Sequence, residues 1–105
     1  MRRIAVVSNY SELIACLRQR AETLNISNVV LDDVSGLQDG YSGKLLSLNP
    51  KRTLGRLSLG LMLGALGLRL IVVEDREALK RVKGRLEPRK RNGLHRQLRP
   101  AGGQQ

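Results

Sequence analysis

The chain has 105 residues and a formal net charge of +10, with 19 Lys and Arg against 9 Asp and Glu. This length allows one small domain with a modest core, and the single cysteine excludes an internal disulfide. Two tyrosines are the only aromatic residues, which argues against modules that stack single-stranded RNA bases on aromatic rings.

Residues 4–24 predict a short strand followed by a helix. The run Ile4 to Val7 is mostly β-branched and is bounded by polar residues, which favours a strand. Asn9 and Glu12 fit a capping box at the start of the helix. Its apolar residues recur at helical spacing: Leu13, Ile14, Leu17, Ala21 and Leu24. Cys16 lies at the edge of this stripe, and we predict a small core residue because the sequence offers no base to activate it.

A second helix is predicted over residues 28–35. Ser27 can accept hydrogen bonds from the first free backbone amides of this helix. One apolar face follows at helical spacing: Val30, Leu31 and Val34. Gly36 stands where a helix ends in a left-handed residue, a conformation that glycine adopts at low cost. The sequence therefore predicts a sharp turn at Gly36.

A third helix is predicted after this turn, ending near residues 47–48. Leu37 is expected to pack between the two helices, and Asp39 can cap the third one. Its inward residues are Tyr41, Leu45 and Leu48. Pro50 lacks a backbone donor and disfavours a helical conformation in the residue before it, so the helix stops there. Five residues are predicted to face outward: Gln38, Asp39, Ser42, Gly43 and Lys44.

The segment of about residues 9–70 resembles the phage-repressor, Xre/Cro-like helix-turn-helix family. The matching positions are Leu31, Gly36, Leu37, Tyr41, Lys44 and Leu45. The family also has a further helix that ends in a Leu-Gly pair, and this helix corresponds to Leu57 to Leu70 with the pair Leu66-Gly67. Asp32 replaces the usual small residue four before the glycine, and Ser42 replaces a branched apolar residue six after it. Residues 46–48 also depart from the Glu-x-Gly that often closes the recognition helix.

This resemblance implies a mainly helical domain that binds double-stranded DNA. The outward residues Gln38, Asp39, Ser42, Gly43 and Lys44 would face base edges in the major groove. Four residues would lie near phosphates: Asn28, Lys51, Arg52 and Arg56. We therefore expect a small bacterial- or phage-type DNA-binding protein, either a transcription regulator or an antitoxin-like autoregulator. The sequence opens with no charged-then-apolar leader, so a cytoplasmic location is expected.

The apolar run Leu57 to Val73 could be mistaken for a membrane span. Ser58 and Arg69 interrupt it and leave residues 59–68, about half of a bilayer crossing. We predict instead a short buried helix that is capped by Ser58 and ends near Leu66, with Gly67 as its stop. Gly60 and Gly64 are spaced for close packing inside a core.

Residues 70–73 predict a second strand of about the same length as residues 4–7. The two are expected to pair in a two-stranded β ribbon, because an isolated edge leaves donors and acceptors unsatisfied. Its outer edge could pair with a second copy and form a homodimer suited to palindromic DNA, or be covered by a loop in a monomer. Asp75 then caps a last helix that carries Ala78, Leu79 and Val82 and ends near Gly84.

The positive charge is concentrated at the C-terminal end. Residues 1–75 carry 9 basic and 7 acidic side chains, whereas residues 76–105 carry 10 basic and 2 acidic ones. We predict a helical domain over residues 1–85 and a disordered basic tail over residues 86–105. Arg89, Lys90 and Arg91 of this tail would contact phosphates. A tail that only aids solubility, or that binds anionic lipid, is the alternative.

Catalytic and metal chemistry lack the residues they need. The single histidine, His95, is far in sequence from Cys16, so neither a metal site nor cysteine catalysis is predicted. Adjacent carboxylates, as in Asp32-Asp33, point in different directions on a helix. We therefore predict no enzyme, no cofactor and no small-molecule substrate. The alternatives to DNA reading are a protein-interaction adaptor and a charge-driven binder of RNA or membrane surfaces without base readout.

Overall fold

A computed structural model describes residues 1–89, and within them the chain is mainly helical. The helices are α1 (Tyr10–Thr23), α2 (Asn28–Ser35), α3 (Tyr41–Leu46), α4 (Arg56–Ala65) and α5 (Arg76–Val82), with a 3-10 turn at Lys83–Arg85. Contacts divide the chain into two compact units, Met1–Ile71 and a second one that begins at Val72. This division falls earlier than the boundary expected near residue 85.

The first unit has one apolar core to which all four of its helices contribute. The core residues are Ile14, Leu17, Ala21, Leu31, Leu45, Leu46, Met62 and Leu66. Helix α2 packs against both α3 and α4, and α1 packs against α3. Burial of one leucine side chain stabilises a fold by about 1.5–3 kcal/mol. The inner face of the short helix α3 is therefore held by burial against its neighbours.

Most helix ends lie where the sequence predicts them. Asn9, Ser27 and Asp75 each accept a hydrogen bond from the backbone amide three residues further on, at 2.9 to 3.2 Å. Gly67 follows α4 in the left-handed region and stops it as predicted. Ser58 is not the N-cap of α4. The helix begins one turn earlier, and Ser58 Oγ accepts a hydrogen bond from the Gly55 amide at 2.7 Å.

The predicted two-stranded ribbon is wrong, since residues 1–89 contain no β-strand. The side chains of Leu70 to Val73 are between 49% and 98% exposed, and Ile4 and Val6 are exposed as well. A two-stranded ribbon with no face to cover is marginal in water, and the four helices already enclose the core. Neither alternative for its outer edge, pairing in a homodimer or cover by a loop in a monomer, therefore applies.

Two apolar helix faces that were predicted to be buried are exposed. On α2 only Leu31 of the predicted face enters the core, while Val30 and Val34 are exposed. On α4 a Cβ built on Gly60 or Gly64 would meet no described atom within 4 Å, so this pair does not mediate close packing. The reason is the same in both helices: each is covered on one side only, by the helices that form the core.

The apolar run in α4 does not form a membrane-spanning helix. Helix α4 has 10 residues, and no helix in the part of the chain that the structure describes is long and apolar enough to cross a bilayer.

Candidate nucleic-acid interface

The turn between α2 and α3 is built on Gly36. This residue has a φ of 78°, in the left-handed region that glycine adopts without strain. The amides of Gly36 and Leu37 both donate to the Asp32 carbonyl, each at 3.0 Å. The Asp32 carbonyl at the end of α2 thus accepts two amide hydrogen bonds while the chain reverses. The predicted bend at Gly36 is confirmed.

Asp32 holds the start of α3 from the neighbouring helix. Its carboxylate accepts hydrogen bonds from the Gly40 amide at 2.8 Å and from the Ser42 amide at 2.9 Å. Gly40 is the N-cap residue of α3, with a φ of 86°. The capping role predicted for Asp39 therefore belongs to Asp32, and the Asp39 side chain is exposed. Local spacing pointed to Asp39, whereas the actual cap comes from a residue on another helix.

The charge on Asp32 is favoured although the residue is buried. Burial alone would raise the pKa of this carboxyl, but hydrogen bonds from Ser42 and from the Gly40 amide outweigh it and lower the pKa below the ordinary value of 3.8. The two amide hydrogen bonds are the source of this lowering, because Ser42 Oγ has no partner in hydrogen-bond geometry among the described residues. Asp32 thus acts as an ionised cap at neutral pH.

Ser42 does not face outward, and its predicted contact with a base is wrong. Its side chain is fully buried. In the family that this segment resembles, the same position holds a branched apolar residue, and here too the position faces the interior. Ser42 is adjacent to the Asp32 carboxylate, to which it donates through its amide. Asp32 and Ser42, the two departures from the family pattern, are therefore in contact. The small side chain of Ser42 leaves room for the Asp32 carboxylate.

The outer surface of α3 and its preceding turn carry the remaining predicted base contacts. Gln38, Asp39 and Lys44 are exposed, and Gly43 is half-buried. A Cβ built on Gly43 would lie 3.6 Å from Nδ2 of Asn28, so the start of α2 lies beside the outer face of α3. The structure thus places Asn28, predicted to contact a phosphate, next to a predicted base-contacting residue.

The chain after α3 is fixed to α1. Arg18 donates to the carbonyl oxygens of Leu46 and Ser47, through Nε at 2.5 Å and Nη2 at 3.1 Å. The Lys51 amide donates to the Lys44 carbonyl at 2.9 Å and closes the turn. Because α3 ends at Leu46, Leu48 lies in this turn and is 89% exposed. The prediction that Leu48 points inward is wrong.

Both tyrosines of the chain fix the loop between α3 and α4. The Tyr10 hydroxyl accepts a hydrogen bond from the Leu54 amide at 2.9 Å. The Tyr41 hydroxyl donates to the Thr53 carbonyl at 2.6 Å and lies 2.9 Å from Ser58 Oγ. The sequence predicted Tyr41 as an inward residue of the third helix and gave Tyr10 no structural role, so these hydrogen bonds were missed. The loop that carries the cations Lys51 and Arg52 is thereby ordered.

Among residues 1–89, the cations of this surface have no carboxylate partner. Lys44, Lys51, Arg52 and Arg56 are all exposed. Within residues 1–89 the one ion pair joins Arg76 and Glu74 at 3.3 Å, and neither belongs to the first unit. Cations without carboxylate partners can bind phosphate oxygens without first breaking an internal pair.

Three further phosphate contacts were predicted in the C-terminal part of the chain. Arg89 is exposed in the second unit, whereas Lys90 and Arg91 lie outside the described residues. No group of three or more metal-ligating side chains occurs among residues 1–89.

Comparisons of the chain with protein-family models, with curated proteins and with solved structures give no match. The resemblance to the phage-repressor family therefore remains a prediction from the residues of this chain.

Proposed function

We propose that this chain is a small cytoplasmic protein that binds double-stranded DNA, either as a transcription regulator or as an antitoxin-like autoregulator. One observation carries the proposal: α3 buries Ser42, Leu45 and Leu46 on its inner side, while Lys44 on its outer side and Gln38 in the turn before it remain exposed. A helix that is anchored on one face and free on the other can enter a DNA groove.

The dimensions of α3 suit the major groove. Its six residues are about 9 Å long at 1.5 Å per residue, and the groove is about 12 Å wide. Gln38 can bond adenine through two atoms, Lys44 can donate to guanine O6 and N7, and Asp39 can accept from the cytosine amino group. Gly43 carries no side chain, so the helix backbone can come close to the bases at that point.

Phosphate contacts would position the helix. Asn28 at the start of α2 and the loop cations Lys51 and Arg52 flank α3, and Arg56 begins α4. The tyrosine hydrogen bonds hold this loop in place before DNA arrives, which lowers the entropy lost on binding. These contacts would supply affinity for any duplex, and the residues of α3 would supply sequence preference.

Selection from random duplex DNA at about physiological salt tests the proposal, because it separates base reading from charge-driven binding. A defined consensus is expected. Gln38→Ala should then weaken binding to the selected duplex by about 5- to 150-fold, or about 1–3 kcal/mol, and leave random-sequence binding unchanged. The matched control is Gln19→Ala, an exposed glutamine on α1. Equal losses on both DNAs in a gel-shift titration would contradict the assignment of Gln38.

A second candidate function is a protein-interaction adaptor. Apolar residues on the outside of two helices favour it: Val29, Val30 and Val34 on α2, and Leu57 and Leu61 on α4. Exposed apolar surface of this kind is typical of protein contact sites. The adaptor predicts no saturable binding to any duplex at low salt, so the same titration distinguishes the two functions.

A further inference from the structure

Leu48 is an apolar side chain that a fixed turn holds in solvent. It is 89% exposed, more than any other large hydrophobic residue between positions 2 and 71. The turn cannot easily rearrange to bury it, because Arg18 binds the carbonyls of Leu46 and Ser47 and the Lys51 amide binds the Lys44 carbonyl. Full burial of a leucine is worth about 1.5–3 kcal/mol. In the free protein, burial of Leu48 therefore contributes almost nothing to stability.

The surroundings of Leu48 belong to the outer surface of α3. Leu48, Gly43 and Asn28 line one open groove of about 550 Å³, whose charged lining residues are Arg18 and Glu22 of α1. Gly43 leaves this groove without a side chain at the point where α3 faces outward, and Lys44 and Lys51 stand exposed at the two ends of the same closed turn. The result is an apolar side chain beside bare helix backbone, on a turn that has a lysine at each end. This combination fits a ligand that carries a small apolar group close to negative charge.

We propose that Leu48, together with the gap at Gly43, contacts the 5-methyl group of thymine in the major groove. Thymine is the DNA base that presents an apolar group at its major-groove edge. The phosphates on either side of the groove supply the negative charge that complements Lys44 and Lys51. The inference rests on the proposed function and adds to it a residue that sets sequence preference. The preferred site must accordingly hold thymine opposite Leu48.

Replacement of thymine by deoxyuridine tests this contact, because the two differ only in the methyl group. The probe is the duplex obtained by selection, with each thymine replaced singly and affinity measured by fluorescence anisotropy. At one position, the unchanged protein should bind the deoxyuridine duplex about fourfold more weakly than the thymine duplex. This fold-change corresponds to burial of one methyl-sized group, about 0.8 kcal/mol. Leu48→Ala should bind the two duplexes equally well.

The control variant is Leu57→Ala, which removes a leucine that is 83% exposed on α4. It should keep the fourfold preference for thymine. Since both substitutions are at exposed positions, helix content and melting temperature should match those of the unchanged protein, which excludes unfolding as the cause.

The outcomes separate this inference from the proposed function. A consensus without thymine, or equal binding of thymine and deoxyuridine duplexes at every position, overturns the role of Leu48 and leaves DNA reading intact. A Leu48→Ala variant that still prefers the thymine duplex likewise overturns the role of Leu48 and leaves DNA reading intact. If no duplex is bound with saturation at low salt, the proposed function fails and the inference fails with it.

Discussion

Asp32 shows how one side chain connects two helices. It lies on α2, is 3% exposed, and fixes the first turn of α3 through the amides of Gly40 and Ser42. A carboxylate that accepts two backbone amides stabilises the fold only while it is ionised. The orientation of the proposed recognition helix therefore depends on a charge that does not face the DNA.

Asp32→Asn should reduce the free energy of unfolding at about pH 7 by about 1.5–3 kcal/mol, the range for hydrogen bonds to a charged group. Because the folded pKa of Asp32 lies below the unfolded value of 3.8, its stabilisation is complete above that value and is lost as the pH falls through the folded pKa. The difference between the two proteins should hence shrink below about pH 4. Urea unfolding at several pH values measures this difference.

The matched control is Asp33→Asn, which removes an exposed carboxylate from the next position of the same helix. This variant should unfold at nearly the same urea concentration as the unchanged protein at all pH values. A large loss of stability in Asp33→Asn would contradict the capping role of Asp32. So would a stability difference between Asp32→Asn and the unchanged protein that does not change with pH.

Gly43→Ala should separate stability from DNA binding. Glycine inside a helix costs about 0.5–1 kcal/mol relative to alanine, and the new Cβ would lie at an ordinary 3.6 Å from Asn28 Nδ2. The melting temperature should therefore rise, while the added methyl occupies the gap on the outer face of α3 and weakens binding to the selected duplex. Thermal unfolding and fluorescence anisotropy measure the two effects.

Gly60→Ala provides the comparison for this experiment, since a Cβ at Gly60 meets no described atom within 4 Å. It should raise stability by a similar amount and leave DNA affinity unchanged. If both glycine variants bind DNA as well as the unchanged protein, the outer face of α3 is not the contact surface.

At the scale of elements, the helix ends were predictable where the signal is local. Ser27, Gly36, Gly67 and Asp75 act within one turn of their own position, so the spacing of residues was enough to place them. The end of α3 was predicted one or two residues too late. Arg18 contacts the carbonyls of Leu46 and Ser47 from 28 and 29 residues away in sequence, and no local pattern reveals such a contact.

Tyr10→Phe tests how the loop between α3 and α4 is held. The Leu54 amide would lose its acceptor, so its hydrogen exchange should become faster while that of amides within α1 stays the same. A net loss of about 0.5–1.5 kcal/mol in stability is expected for one such hydrogen bond. DNA affinity should also fall, because the cations of a looser loop lose more entropy on binding. Unchanged exchange at Leu54 would contradict the anchoring role.

At the scale of the whole molecule, the helical character and the bend at Gly36 were predictable, but the pairing of distant segments was not. Residues 4–7 and 70–73 have the composition of strands, yet composition does not say whether a covered face exists for them to pack on. Asp32 was noted as a departure from a pattern and as one of two adjacent carboxylates, and Ser42 was predicted to contact bases. The contact between them was not predicted, since it requires the folded turn. The candidate surface was therefore predicted in outline, with Leu48, Tyr10 and Arg18 missing.

Removal of residues 86–105 tests the contribution of the basic C-terminal end. This segment holds five Lys and Arg residues. For every phosphate that these cations neutralise, their removal should reduce the slope of log-affinity against log-salt by about 0.9. The shortened chain should therefore show a flatter salt dependence and weaker binding to all duplexes alike. The sequence preference that we propose for α3 and its preceding turn should persist. An unchanged slope in anisotropy titrations over a range of salt concentrations would exclude phosphate binding by this segment.

The contact between Asp32 and Ser42 has a consequence for descent. Either exchange alone is unfavourable, since a branched aliphatic side chain at position 42 would crowd the buried Asp32 carboxylate, and Ser42 beside a small residue at position 32 would leave a void. Among its descendants, positions 32 and 42 should covary, with acid and hydroxyl retained jointly or replaced jointly by a small residue and an aliphatic one.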